Sequence, residues 1–252
     1  MTMKIDPLDF PFDLYGRYKD LQKIIEVIIR EQKNKITTKI LDIGGYFPFL
    51  GEEIYPIQYF IQNAHFYILD MQDSKNNNNY IKGSGLFLPF KNESIEIITS
   101  CDTFEHIPSE KREQFILELL RVAKDYVIII APFKKQETEL VEKISREFYI
   151  KKFKKIHPFL EEHIKNGLPD ILKLKNLLKK MNLEYLEFSS GYLFSWLTMM
   201  ILKHYVLSLP DSLYLHTMID RFYNMNFFEE NRRVPSYRNI FVISKKKRKF
   251  SF

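Results

Sequence analysis

Apolar residues recur along this chain first at helical and then at strand spacing. Leu14, Leu21, Ile24, Ile25, Ile28 and Ile29 share one helical face, which predicts an amphipathic helix over residues 14–32. Short apolar runs bounded by glycine, proline or polar tracts then predict strands at 39–43, 65–70, 80–83, 94–100 and 126–130. Between the last two, Pro108-Ser109-Glu110 predicts a helix start, with Ser109 as the cap and Glu110 near the positive helix end. Phe115, Ile116, Leu119, Leu120 and Ala123 continue the apolar face of that helix. Further on, Pro169-Asp170 opens a helix carrying Ile171, Leu174, Leu177, Leu178 and Met181, and strands are predicted at 183–188 and 239–244.

Strands alternating with helices imply an α/β fold, a mostly parallel sheet with helices on both faces. Two stretches break the alternation. Residues 134–168 are basic and helical, and residues 191–230 are aromatic-rich and mostly helical. Strand signals resume after each, so both read as helical insertions into a single domain covering 1–252. Its parts are an N-terminal helical segment (1–37), a first half (38–132), insertions at 133–182 and 190–237, and a last strand with a basic tail (238–252).

Composition narrows the class. With 45% hydrophobic and 28% charged residues the 252-residue chain has globular composition. Cys101 is the lone cysteine, so no intrachain disulfide forms and a reducing, cytoplasmic location is expected. The N-terminal MTMKIDPLDFPFDLYG has acids and prolines where a signal peptide needs an apolar run. The net charge of +6 owes much to Lys245, Lys246, Lys247, Arg248 and Lys249, read as a solvated tail. The most apolar stretch, 192–209, is interrupted by Lys203 and His204. It reads as a lid or homodimer face with Trp196, Met199, Met200 and Tyr205 packed on the core. Its second reading is peripheral membrane contact, aided by the basic tail.

Candidate chemistry begins after the first strand, with Asp42-Ile43-Gly44-Gly45. Glycines here allow close backbone approach to a ligand and a tight turn into a helix. Asp70, 28 residues beyond Asp42, ends the second strand, where an acid can accept hydrogen bonds from both hydroxyls of a ribose. Then follow Gly83-Ser84-Gly85, Leu88-Pro89-Phe90, Ser94 to Ile98, Cys101-Asp102 and Phe104-Glu105-His106-Ile107-Pro108. In this order the chain resembles the class I S-adenosylmethionine-dependent methyltransferases, in their small-molecule and glycan branch, over about residues 38–132.

The resemblance implies a Rossmann-like seven-stranded sheet, with 239–244 as its closing antiparallel strand, and S-adenosylmethionine as cofactor. It implies that Asp42, Gly44 and Gly45 border the methionine end and that Asp70 binds the ribose. Ser84 and Gly85 would lie at the adenine, and Cys101 or its carbonyl beside the amino-acid portion. The first motif departs from the family's D-x-G-x-G-x-G, because Tyr46 and Pro48 stand where two glycines are usual.

A hydroxyl acceptor also needs its proton removed. The segment 157–170 concentrates titratable groups, and His157 and His163 are the candidate bases, with Glu161, Glu162 or Asp170 as orienter. Glu105 and His106 read as residues that orient their loop, and no metal is expected, since only His157 and Glu161 have a helical i, i+4 spacing. The expected partner is a small-molecule or glycan hydroxyl, with surface polysaccharide as one source, and no nucleic acid. Nicotinamide binding is disfavoured by the lack of a full G-x-G-x-x-G. A non-catalytic binding or assembly protein with a degenerate pocket stays open as the alternative.

Overall fold

The computed structural model describes residues 5–31, 38–74 and 79–246. Helix α1 (Phe12–Glu31) leads to β1 (Thr38–Ile43), a hairpin of β2 (Phe47–Phe49) and β3 (Glu52–Ile54), and the single turn α2 (Ile57–Phe60). Then come β4 (Ala64–Asp70), β5 (Tyr80–Lys82), β6 (Ile95–Cys101), α3 (Arg112–Val122) and β7 (Ala123–Pro132). Helices α4 (Gln136–Phe153), α5 (Pro158–Asn166) and α6 (Ile171–Lys180) precede β8 (Glu184–Tyr192). Helices α7 (Leu193–Leu207) and α8 (Leu213–Asn226) separate β8 from β9 (Ser236–Ser244).

Seven strands form one sheet in the order β5-β4-β1-β6-β7-β9-β8. All neighbours are parallel except β9, which is antiparallel to both β7 and β8. This is the Rossmann-like mostly parallel sheet expected from the sequence. The central strands read as unbroken apolar runs because both their faces are covered. Ile40, Ile68, Ile97, Ile128 and Val242 turn to one face, under Leu14, Leu21, Ile25 and Ile28 of α1. Their neighbours Leu41, Leu69, Ile98, Val127 and Phe241 turn to the other, under Phe115, Ile116 and Leu119 of α3 and Leu174 and Leu178 of α6.

The chain runs outward from β1 to β4 and β5, then returns to place β6 on the other side of β1. Strand order reverses at that point, and the crevice there opens at the carboxyl ends of β1 and β6. Asp42 pairs with Thr99 and Ile43 with Ser100, so the loops after Ile43 and Cys101 leave the sheet side by side.

Several local expectations are corrected. The chain after Gly44-Gly45 enters the β2–β3 hairpin rather than a helix. Ser109 makes no capping bond; it opens a 3-10 turn ahead of α3, with its hydroxyl 3.4 Å from Glu110. Asp170 does cap α6, accepting from the N–H groups of Leu172 and Lys173. Trp196, Met199 and Met200 are buried, with Trp196 stacked 3.9 Å from Tyr237. Tyr205 is instead exposed, under Lys152. Lys245 and Lys246 pair with Glu93 and Asp125, so these two are not free tail charges; 247–252 lie outside the described residues. Among the described residues no helix is long and apolar enough to cross a membrane.

Gly85 shows how closely α3 docks. A Cβ there would meet the Phe115 ring at 2.5 Å and Ile43 at 3.1 Å. Overpacking of this kind costs about 1–3 kcal/mol. Gly85→Ala should therefore lower the Tm by roughly 2–12 °C, and Phe115→Leu in the same chain should recover part of the loss. Calorimetry of the single and double variants checks this, and an unchanged Tm in Gly85→Ala would refute it.

Candidate functional site

The crevice is floored by Asp42, which is fully buried. Its carboxylate accepts from the Tyr18 hydroxyl at 2.8 Å and the Thr99 hydroxyl at 2.6 Å. Burial pushes its pKa up to about 6, against those two bonds, which favour the charged form. A Cβ on Gly45 would lie 2.5 Å from Asp42 Oδ2. The sequence predicts that Asp42 borders a ligand. Its carboxylate instead turns inward, bonds to Tyr18 and Thr99, and supports the Gly44-Gly45 turn from below.

Gly44 takes a left-handed φ of +74°, and a Cβ there would be 2.1 Å from Thr103 Oγ1. Thr103 in turn donates to the carbonyls of Ile43 at 3.1 Å and Cys101 at 3.3 Å. Glycine is thus needed at 44 both for its conformation and for the close approach of the neighbouring loop. Cys101 has its side chain in the apolar core, and burial first and the Asp42 charge second hold its thiol far above the ordinary range. Only its backbone faces the crevice loops. Gly85 likewise meets Phe115 and Ile43, a packing contact rather than an open ligand surface.

Asp70 ends β4 half-buried. One carboxylate oxygen accepts from Gln72 N at 3.1 Å and the other from Tyr46 N at 3.4 Å. A carboxylate has about four lone-pair sites, so Asp70 keeps capacity for two further donors. Tyr46 belongs to an aromatic trio with Tyr55 and Tyr80, at 6.4 and 6.2 Å between ring centroids, and its N–H turns to Asp70. The residue that interrupts the glycine motif thus packs its ring on Tyr55 and Tyr80 and turns its N–H to Asp70. Ser84 is half-buried and accepts from Leu86 N at 3.3 Å.

The loop after β6 carries the strongest electrostatics. Asp102, at a left-handed φ of +48°, takes a bidentate bond from Arg238 of β9, at 2.6 and 2.5 Å. Arg17 of α1 adds a bond at 2.9 Å and also reaches Asp13 at 3.3 Å. Against the cost of burial, the two guanidinium groups hold Asp102 below the usual carboxylate range. Arg17 and Arg238 belong to no motif of the sequence. The available signal was Arg17 standing between Leu14 and Leu21 on an otherwise apolar helix face.

Next along the loop, Glu105 and His106 form a short 3-10 turn against α5. His106 Nδ1 lies 2.6 Å from Glu162, and His163 Nδ1 lies 2.9 Å from Glu142. Tyr237 also donates to Glu142, at 2.7 Å. Glu105 and His163 are buried, and their carboxylate and imidazole approach only to 4.0 Å. Burial first, and the Asp102 charge second, push Glu105 up to about 8. Burial works against a charged His163, yet the bond to Glu142 and the nearby Glu105 raise it overall.

His157 does not join this group in a basic role. It caps α5, with Nδ1 accepting from Leu160 N at 3.3 Å, so its neutral ring carries the proton on Nε2. Burial and the Lys203 charge lower it to about 4. A ring with its lone pair spent on a helix end is a weak proton acceptor, which counts against His157 as a base. Glu161 is paired with Arg146, and Asp170 serves as the α6 cap, so neither orients a base.

Residues 58–131 match the family model described as a methyltransferase domain. No curated protein sequence matches the chain. Among solved structures it is similar to a putative sarcosine dimethylglycine methyltransferase from Galdieria sulphuraria, at 16% identity over 92% of this chain and 86% of that one, with a TM-score of 0.54. The magnesium protoporphyrin IX methyltransferase from Synechocystis, solved with bound SAH, is 11% identical over 93% and 86%, with a TM-score of 0.52. The plantazolicin methyltransferase, in complex with SAH, is 12% identical over 94% and 85%, with a TM-score of 0.53. At these identities the likeness is one of fold.

The raised pKa of Asp42 has a measurable sign. The folded chain holds this proton more tightly than the unfolded chain, whose value is near 3.8. Its contribution to stability is full below pH 4 and is lost as pH rises through about 6. From pH 4 to 7 the wild type should lose about 3 kcal/mol relative to Asp42→Asn, at 1.36 kcal/mol per pH unit. Denaturant unfolding of both proteins at pH 4, 5, 6 and 7 measures it, and parallel profiles would reject the raised value.

Proposed function

We propose that this chain, which carries a methyltransferase domain on a class I methyltransferase fold, transfers a methyl group from S-adenosylmethionine to a hydroxyl of a small molecule or glycan. The observation that carries the cofactor half is Asp70. It stands at the carboxyl end of the strand beside β1, next to the switch point, with acceptor capacity left on a half-buried carboxylate. Two vicinal ribose hydroxyls are a donor pair that fits it.

When bound, S-adenosylmethionine would supply a sulfonium methyl: an acceptor oxygen would bond to the methyl carbon as the sulfur–carbon bond breaks, S-adenosylhomocysteine would leave with that electron pair, and the hydroxyl proton would pass to a base. The chain's own residues bind, align and exclude water. Gly44 and Gly45 let the backbone of the first loop approach the amino-acid end, with Asp42 and Thr103 holding that backbone in place. Ser84 and the backbone around it would meet the adenine. Alignment of acceptor and methyl is the larger part of catalysis for so reactive an electrophile.

The acceptor side falls to the loop after β6 and to α5, which together bring Glu105, His106 and His163 to the carboxyl end of the sheet. Titratable groups at that place support an oxygen acceptor, whose proton must leave, over an acceptor that already has a free lone pair. The basic stretch 134–180 would suit an anionic acceptor such as an acidic glycan.

Calorimetry with S-adenosylmethionine and S-adenosylhomocysteine tests the cofactor. Binding is expected in the micromolar range, weakened more than tenfold, about 1.4 kcal/mol, by Asp70→Ala. No binding at millimolar ligand would overturn the reading, and unchanged affinity in the variant would remove Asp70 from the ribose.

A further inference from the structure

Two imidazoles and one carboxylate converge behind the loop after β6. Glu105 and His106 come from the 3-10 turn and His163 from the middle of α5. One ligand atom from each lies within 4.8 Å of the other two, and the histidine rings are 4.8 Å apart between centroids. Both rings are held from behind by a carboxylate at Nδ1, His106 by Glu162 and His163 by Glu142. A carboxylate accepting from Nδ1–H fixes the tautomer and leaves the Nε2 lone pair free to bind. This is the arrangement found behind metal-bound histidines.

Two of the three proposed ligands carry an atom left without a partner. Glu105 Oε2 and His163 Nε2 are buried and make no hydrogen bond among the described residues. Leaving such groups unsatisfied is costly, and native structures rarely do so. Among the described residues no guanidinium bonds the Glu105 carboxylate. Arg112 donates to the carbonyls of Glu105, Ile107, Asn166 and Gly167 instead, and Arg17 and Arg238 bond Asp102. Three carboxylates, Glu105, Glu142 and Glu162, thus surround two imidazoles, with no bonded Lys or Arg between them among the described residues.

We propose that Glu105, His106 and His163 bind one divalent first-row transition-metal ion, with Glu142 and Glu162 as the groups that orient the two imidazoles. The donor set selects the class. Two nitrogens and one oxygen suit Zn²⁺, Fe²⁺ or Mn²⁺, whereas Ca²⁺ and Mg²⁺ take oxygen ligands almost throughout. Ligands at about 2.0–2.1 Å from a tetrahedral ion lie roughly 3.4 Å apart, so the three side chains close inward by about 1 Å or more on binding. Three protein ligands leave positions for water or an acceptor oxygen, and His106, whose side chain is 23% exposed, gives the ion its way in. The site stands on its own residues. Only its use, holding an acceptor oxygen and lowering that oxygen's pKa for methyl transfer, rests on the methyltransferase reading.

The test uses the full chain, stripped with chelator and titrated with Co²⁺ by visible absorption and with Zn²⁺ by calorimetry. One equivalent is expected to bind, with the d–d bands of a four- or five-coordinate Co²⁺ site that Zn²⁺ bleaches. Glu105→Gln and His106→Asn should each weaken Zn²⁺ at least tenfold. Glu162→Gln, at a half-exposed position where folding is not at stake, should weaken it 10–100-fold. Absence of stoichiometric binding, or binding that all three variants leave unchanged, would overturn the site. Metal binding without S-adenosylmethionine binding would keep the site and remove the methyltransferase reading, and the reverse result would do the opposite.

Discussion

The bond that the loop after β6 depends on is the bidentate ion pair between Asp102 and Arg238. Both groups are withdrawn from water, and removing one partner of such a pair leaves a buried charge at a cost of about 3–5 kcal/mol. The pair ties the carboxyl end of β6 to β9, and Arg17 extends the tie to α1. The loop that starts at Asp102 is thereby fixed where three elements meet. That loop delivers Thr103 against Gly44, and two and three residues further on it delivers Glu105 and His106 to α5. The turn beside β1 and the cluster under α5 are thus positioned by one electrostatic clamp.

The clamp works because the sheet beneath it is rigid. Alternate residues of β1, β4, β6 and β7 enter two different apolar layers, so a slip of one residue would exchange every one of them. Within that register Asp42 is a fully buried carboxyl on β1, in the middle of the sheet. Tyr18 and Thr99 stand where they can bond to it, and its environment keeps it near neutrality at mildly acidic pH.

Much of this was legible in the sequence. Short Ile-rich runs separated by glycine and proline gave each strand of the main sheet to within a few residues, because a doubly covered parallel strand needs an unbroken apolar run. The order from Asp42 through Asp70 to Phe104-Glu105-His106 located the crevice. What was not legible are contacts between residues distant in the chain. Arg238 meets Asp102 across 136 positions and His163 meets Glu142 across 21, and no local pattern encodes either. His157 and Asp42 were assigned by position alone. The structure shows how each spends its lone pairs, on a helix end for one and on two buried hydroxyls for the other. The β2–β3 hairpin leaves no mark in the sequence because Phe47-Pro48-Phe49 is too short to show a period.

That hairpin alters what the crevice attracts. In a nucleotide-binding α/β fold the first loop opens into a long helix, whose amino end presents partial positive charge to a pyrophosphate. Here the same loop opens into two short strands, and α2 is a single turn of four residues. The pole that would draw a dianion is missing from the mouth of the crevice, while the half-buried carboxylate of Asp70 remains. The local field is therefore hospitable to a cationic guest, and a sulfonium centre enters without the repulsion a helix terminus would impose.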